Sequence, residues 1–213
     1  AERTAELLGE LGLMAERHPV PDDEVRAAGM ASITNLIVRQ RFGAEPDRGP
    51  RRADMDTDID AAAAAHPVVA LNAHGDVVPP GEGWQHDPYG GEIVEGKLYG
   101  RASAVSKSDF ATYTWALRAV TALGADAPTH GTVELHFTYD EEYGGELGPG
   151  FLLREGLTKP DYLLAAGFSH EVVTAHNGCL QLEVTVHGRM AHAAIPHTGI
   201  DALQGAVAIL QAL

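Results

Sequence analysis

The sequence predicts an α/β fold, a mainly parallel sheet with helices on both faces. Three observations carry this. Short runs at Val68–Asn72, Thr132–Thr138 and Tyr162–Ala166 read as strands, and helical patterns lie between them. Strands alternating with helices imply βαβ crossovers. Polar clusters, His74-Gly75-Asp76 and Asp140-Glu141-Glu142, follow the first two runs directly. In such sheets the ligand crevice lies at the carboxyl ends of the strands, so both clusters are expected at one rim.

In chain order, Leu7, Leu8, Leu11 and Met14 stand at helical spacing within Ala1 to His18, predicting an amphipathic helix that stops before Pro19 and Pro21. A second helix is expected from Asp22 towards Phe42, with Val25, Met30, Ile33, Leu36 and Ile37 apolar. The segment Ala44 to Asp60 is polar and reads as an exposed loop, and Ala61 to Ala65 as a short turn or linker. Val68–Asn72 is a buried strand. The passage from Val77 to Gly91 is rich in proline and glycine and reads as a structured loop.

Glu92–Tyr99 predicts a hairpin around Glu95-Gly96. A helix opens at Ser106, with Asp109 at capping-box spacing and Phe110, Tyr113, Leu117 and Val120 on one face. Gly124 ends it. Thr132–Thr138 alternates Val133, Leu135 and Phe137 with Glu134 and His136. A helix over Leu147–Glu155 and a buried strand at Tyr162–Ala166 follow. Leu180–Val186 alternates strictly, predicting a half-exposed strand, and a helix from about Ile200 carries Leu203, Val207, Leu210 and Leu213.

Composition limits the function. A net charge of −15, from 15 basic against 30 acidic side chains, argues against nucleic acid or an anionic membrane as partner. One cysteine, Cys179, excludes an internal disulfide framework and fits a reducing compartment, the cytoplasm. No apolar run approaches membrane-spanning length. Cys179 reads as a packed core residue, and Ser106 and Ser108 as helix caps rather than nucleophiles.

The chemistry concentrates at two places. An imidazole at a strand end with a carboxylate two residues on suits a metal ligand whose ring is held by its neighbour. Alternatively, His74 and Asp76 simply cap a strand. Adjacent Glu141 and Glu142 point different ways, so one can bind a cation while the other, partly desolvated, serves as general base. Alone, such a pair equally suits a solvated acidic loop.

The stretches AHGDVVP, W-x-x-D-P-Y at Trp84–Tyr89, GKLYGRA-x-x-x-x-K from Gly96 to Lys107, YDEEYGG, AHNG and HGRMAHAAIPHTGIDA from His187 to Ala202 resemble the M20 metallopeptidases and amidohydrolases. That group includes acetylornithine deacetylase, succinyl-diaminopimelate desuccinylase, aminoacylase and carboxypeptidase G. The resemblance implies a zinc-exopeptidase-like catalytic domain (1–177, incomplete without a C-terminal part) and the beginning of a lid and dimerisation domain (178–213). It implies a binuclear zinc or cobalt site and hydrolysis of an amide beside a free carboxylate in a small-molecule substrate. Carried over, His74 and Glu142 are metal ligands, Asp76 orients His74, and Glu141 is the general base. His192 stabilises the oxyanion across a homodimer.

Two positions depart from the pattern. The bridging aspartate falls at Val105 and a further acidic ligand at Ala166, with Asp109, His170 and His176 as nearby alternatives; a last family ligand lies beyond Leu213. The leading expectation is a metal-dependent hydrolase of an N-acyl amino acid or small peptide. The alternative is a protein of the same fold whose degenerate metal site leaves a binding or regulatory role.

Overall fold

The computed structural model describes residues 1–43, 66–165, 167, 171–175, 177–178, 180 and 182–213. The chain divides into two units, Ala1–His170 and Glu171–Leu213. The expected loop at Ala44 to Asp60 and turn at Ala61 to Ala65 lie outside the described residues, as do Ala166, His170, His176 and Cys179.

The first unit opens with α1 (Glu2–Glu10), β1 (Ala15–Pro19), α2 (Asp22–Ala27), β2 (Thr34–Phe42) and β3 (Val68–His74). A small hairpin of β4 (Glu92–Val94) and β5 (Lys97–Tyr99) follows, then α3 (Lys107–Ala122), β6 (Gly131–Thr138), α4 (Pro149–Arg154) and β7 (Tyr162–Ala165). Five strands form one sheet in the order β1-β2-β6-β3-β7. β3 runs parallel to both β6 and β7, while β2 is antiparallel to β6 and β1 to β2. Helices cover both faces, as expected. Leu36, Val38, Leu135 and Phe137 meet Ala5 and Leu8 of α1 and Leu117 of α3. On the other face Ile37 packs with Val25 of α2 and Phe151 and Leu152 of α4. Each fully buried side chain of this kind contributes about 1.5–3 kcal/mol through the apolar surface it removes from water.

The N-terminal third corrects the expectation of two long helices. α1 stops at Glu10, Gly12 takes a positive φ of 78°, and Ala15–Pro19 enters the sheet instead. Nothing apolar alternates in AERHP; its strand state comes from pairing with β2. The second expected helix breaks at Gly29, and Thr34–Phe42 is a strand. Leu36, Ile37 and Val38 are all buried because β2 is covered on both faces. Such a strand loses the period-two signal and its apolar run imitates a helix.

The other strands also differ in part. β7, expected to be buried, is exposed along its length, since among the described residues it pairs with β3 alone and stands at the sheet's edge. The described residues of 180–186 form no strand. The second unit holds an antiparallel bridge between Arg189 and Ile200 and a helix α5 (Ala202–Ala212), capped by the Asp201 carboxylate, which accepts from the Leu203 and Gln204 N–H groups at 2.9 and 3.3 Å. Leu203 and Leu210 of α5 are exposed.

The polar positions of β6 are buried as well. Glu134 accepts from Arg39 Nε at 2.8 Å and lies 2.8 Å from His136 Nε2, and the Thr158 hydroxyl donates to it. Arg39 also bonds Glu16 and the Leu157 carbonyl. Burial alone would raise the Glu134 carboxyl; the hydrogen bonds from His136, Thr158 and Arg39 overcome this and hold it at about 2. A carboxylate with a depressed folded pKa stabilises the fold above its ordinary value and loses that contribution as pH falls through the folded value. Wild-type stability should therefore decline between the ordinary glutamate value of 4.5 and about 2, by on the order of 2–3 kcal/mol. Urea unfolding at pH 6, 4 and 3 should show this acid loss in wild type and a flatter profile in Glu134→Gln.

Candidate active site

The site is built where β3 and β6 end. His74 is the last residue of β3 and pairs in register with Thr138, the last residue of β6. The Gly75 N–H then donates to the Thr138 carbonyl at 2.8 Å, extending the ladder by one bond. Asp76 follows on one strand and Asp140 to Glu142 on the other, so the two polar clusters emerge at the same rim.

Asp140 sets the shape of the second cluster. Its carboxylate accepts the Leu147 N–H at 2.6 Å, and its carbonyl accepts from Tyr143 and Gly145 at 3.1 and 3.0 Å. Glu141–Tyr143 thereby form a single tight turn, left through Gly144 at a φ of 114°. Burial pushes the Asp140 carboxyl up, against the opposing pull of the Leu147 N–H. The chain returns so closely that a Cβ at Gly148 would lie 2.1 Å from Asp140 Oδ1. Glycine is required there by space.

His74 and Asp76 are both largely buried and act as a pair. Nδ1 lies 3.2 Å from the Asp76 carbonyl oxygen and 3.3 Å from Asp76 Oδ1. The other carboxylate oxygen of Asp76 accepts the Glu142 N–H at 3.0 Å, joining the two clusters directly. The Asp76 side chain raises the His74 pKa, with burial opposing and Glu141 assisting. Burial would raise the Asp76 carboxyl, but the bonds to His74 and the Glu142 N–H hold it below its usual value.

With Nδ1 close to two Asp76 oxygens, a neutral ring that keeps its proton there offers the Nε2 lone pair to a cation. Nε2 faces Glu141 Oε2 at 3.5 Å. Donor atoms of His74, Glu141 and Glu142 all lie within 4.8 Å of one another. One imidazole and two carboxylates this close oppose lone pairs and like charges, an arrangement that a divalent cation relieves. A borderline metal such as zinc accepts this nitrogen and oxygen donor set, so these residues fit one ion.

Glu141 is only partly covered: its side chain is 57% exposed, because the turn sits on the surface beyond the strand end. Val105 lies just ahead of α3 and has no donor atom. Asp109 stands in the first turn of α3 and is not among the clustered donors. Ser106 does not cap α3 with its side chain. It is fully buried, and its Oγ accepts the His74 N–H at 3.1 Å. That support for His74 spans 32 residues and left no local signal in the sequence. The Ser108 hydroxyl donates back to the Ala104 carbonyl instead of capping. In the loop after Asp76, Trp84 Nε1 and Arg101 both donate to the Pro80 carbonyl, at 2.9 Å each. His192, in the second unit, is exposed, and its Nδ1 accepts the Ala194 N–H at 3.1 Å.

Residues 70–213 match the family model of peptidase family M20/M25/M40. The chain belongs to that family. It is 29% identical over 215 residues to a succinyl-diaminopimelate desuccinylase of Acidiphilium cryptum (strain JF-5), covering 94% of this chain and 54% of the relative. It is 31% identical over 227 residues to the enzyme of that name from Methylorubrum populi (strain ATCC BAA-705 / NCIMB 13946 / BJ001), covering 98% and 50%. The chain thus spans about half the length of these curated relatives. The crystal structure of human carnosine dipeptidase 1 shares the fold, with a TM-score of 0.51 at 21% identity over 78% of this chain and 31% of that one. Among the described residues no helix is long and apolar enough to cross a membrane.

Two outcomes follow from this geometry. In Asp76→Asn, the His74 midpoint read by NMR titration should fall from its raised value, since the principal raising partner is gone. A raised imidazole stabilises the fold below its ordinary value of 6.5 and loses that contribution as pH climbs through the raised value; the variant should lack that dependence. Gly148→Ala should lower stability by roughly 1–3 kcal/mol through overpacking against Asp140, measured as a reduced Tm.

Proposed function

We propose that this chain carries the metal-binding cluster of an M20-type hydrolase that cleaves the amide bond of an N-acyl amino acid or small peptide bearing a free carboxylate. The observation that supports it most is the convergence of His74, Glu141 and Glu142, with Asp76 behind His74, in a member of this family. His74 Nε2 and the Glu142 carboxylate would hold zinc or cobalt. The ion, when bound, supplies Lewis acidity toward a carbonyl and toward water.

The chain's own groups do the rest. Asp76 keeps the His74 proton on Nδ1 and, through the Glu142 N–H, fixes the start of the turn. Glu141 takes a proton from the attacking water and delivers it to the departing nitrogen, a role worth about 10²–10⁴ in rate. Its exposed carboxylate leaves it within reach of a substrate. In His192, Nδ1 is occupied as an acceptor, so the neutral ring presents Nε2–H as a donor. That suits stabilisation of a developing oxyanion, across a homodimer formed through residues 178–213 as a lid and dimerisation domain. The relatives' names make N-succinyl amino acids the first substrates to test. The net charge of −15 and the single cysteine favour a cytoplasmic enzyme without nucleic-acid or membrane partners.

The test uses full-length protein purified without chelator, assayed for zinc content and for amine release from N-succinyl and N-acetyl amino acids. Glu141→Ala should keep the metal and lose about 10²–10⁴ of kcat. Undiminished turnover in Glu141→Ala overturns the mechanism. Wild-type protein that binds no metal favours the binding-protein reading of an altered site.

A further inference from the structure

We propose that Tyr139 is a positioning residue that clamps the His74-Gly75-Asp76 turn and thereby sets its spacing from Glu141 and Glu142. This rests on the metal-binding reading above, and no step of the proposed chemistry uses Tyr139.

The argument starts at Gly75. Its φ is not among the positive ones, so glycine is not needed there for backbone conformation. It is needed for room: a Cβ would lie 2.4 Å from Tyr139 Cε1, 2.8 Å from Cδ1 and 3.1 Å from Phe110 Cζ. The volume that a side chain at position 75 would fill holds the tyrosine ring.

The ring is itself held from three directions. Its hydroxyl bonds Thr4 Oγ1 of α1 at 3.0 Å. Its face meets Phe110 edge-on, with centroids 6.2 Å apart at 87°, and Phe110 rests on Phe137 at 4.5 Å. It also packs against the core cluster that holds Val25, Ile37 and Phe151. A cavity of about 410 Å³ opens beside it between α1 and α3, bounded by Leu7, Leu8, Trp115, Gly75 and Tyr139 among others. With space on that side, the ring depends mainly on Phe110 and this core packing for its position, with the Thr4 bond as an addition.

The covalent chain completes the device. Tyr139 follows β6 directly and is succeeded by Asp140, Glu141 and Glu142. Its side chain therefore bears on the turn carrying His74 and Asp76, while its backbone leads into the turn carrying both glutamates. A shift of the ring moves one cluster against the other, at a place where His74 Nε2 and Glu141 Oε2 are 3.5 Å apart. Groups that orient metal ligands typically change metal affinity 10–100-fold when removed.

The experiment measures zinc affinity by chelator competition in the full-length protein, with amide exchange at Gly75 and Tm recorded on the same samples. Gly75→Ala and Tyr139→Ala should each weaken zinc binding by about tenfold or more, and Tyr139→Phe, which keeps the ring, should recover most of that loss. The decisive sample is the double variant Gly75→Ala with Tyr139→Ala. Because the collision partner is gone, it should bind no more weakly than Tyr139→Ala alone. Multiplying losses in the double variant would overturn the clamp, as would wild-type zinc affinity and Gly75 exchange in Tyr139→Ala. If wild type binds no zinc, the metal reading fails by itself and exchange decides the clamp. The Gly75 amide should then exchange at least tenfold faster in Tyr139→Ala while amides in the middle of β3 stay unchanged, whereas general loosening would speed both and lower Tm.

Discussion

The parallel pairing of β3 with β6 is the constraint on which the rest depends. Seven consecutive partners, from Val68 with Thr132 to His74 with Thr138, bring the two strand ends level. The Gly75 bond to Thr138 carries that alignment one residue further. A slip of one residue would turn His74 and its neighbours to the opposite face of the sheet, and the imidazole would leave the carboxylates. Register is thus a functional quantity in this chain.

What secures the register is the unequal treatment of the two sides of β6. Leu135 and Phe137 bury into the layer under α1 and α3. Glu134 and His136 enter a buried polar network with Arg39 and Thr158. A buried carboxylate costs several kcal/mol unless its partners are in place, so β6 cannot slide against Arg39 of β2 and Thr158 without orphaning Glu134. The same strand then delivers Asp140, whose buried carboxylate shapes the glutamate turn. Stability and chemistry are carried by successive residues of one element.

The chain belongs to the M20/M25/M40 family, and its donor groups gather at the strand ends. Val105, just ahead of α3, contributes no side-chain donor. Its neighbour Ser106 has taken a different part, buried and bonded to the His74 backbone. The described donors make one compact group around His74. Among the described residues, one imidazole and the two glutamates of the turn are the group placed to hold a cation.

Residue order alone was enough for the fold class, the three parallel strands, the hairpin and the clusters at the strand ends, because these signals are local: apolar runs, Gly and Pro punctuation, and polar residues at a run's end. His74, Asp76, Glu141 and Glu142 were legible for the same reason. The strand states of β1 and β2 were not, since AERHP has no alternation and Leu36-Ile37-Val38 is buried on both sides; only pairing and coverage decide such segments. Nor could the sequence show that Ser106 supports His74, that Arg39 neutralises Glu134, or that Gly75 is glycine because Tyr139 occupies its side-chain space. Those contacts join residues 32, 95 and 64 positions apart. They exist only once the sheet has closed, because hydrogen bonding and exclusion of volume act through space and leave no periodic trace along the chain.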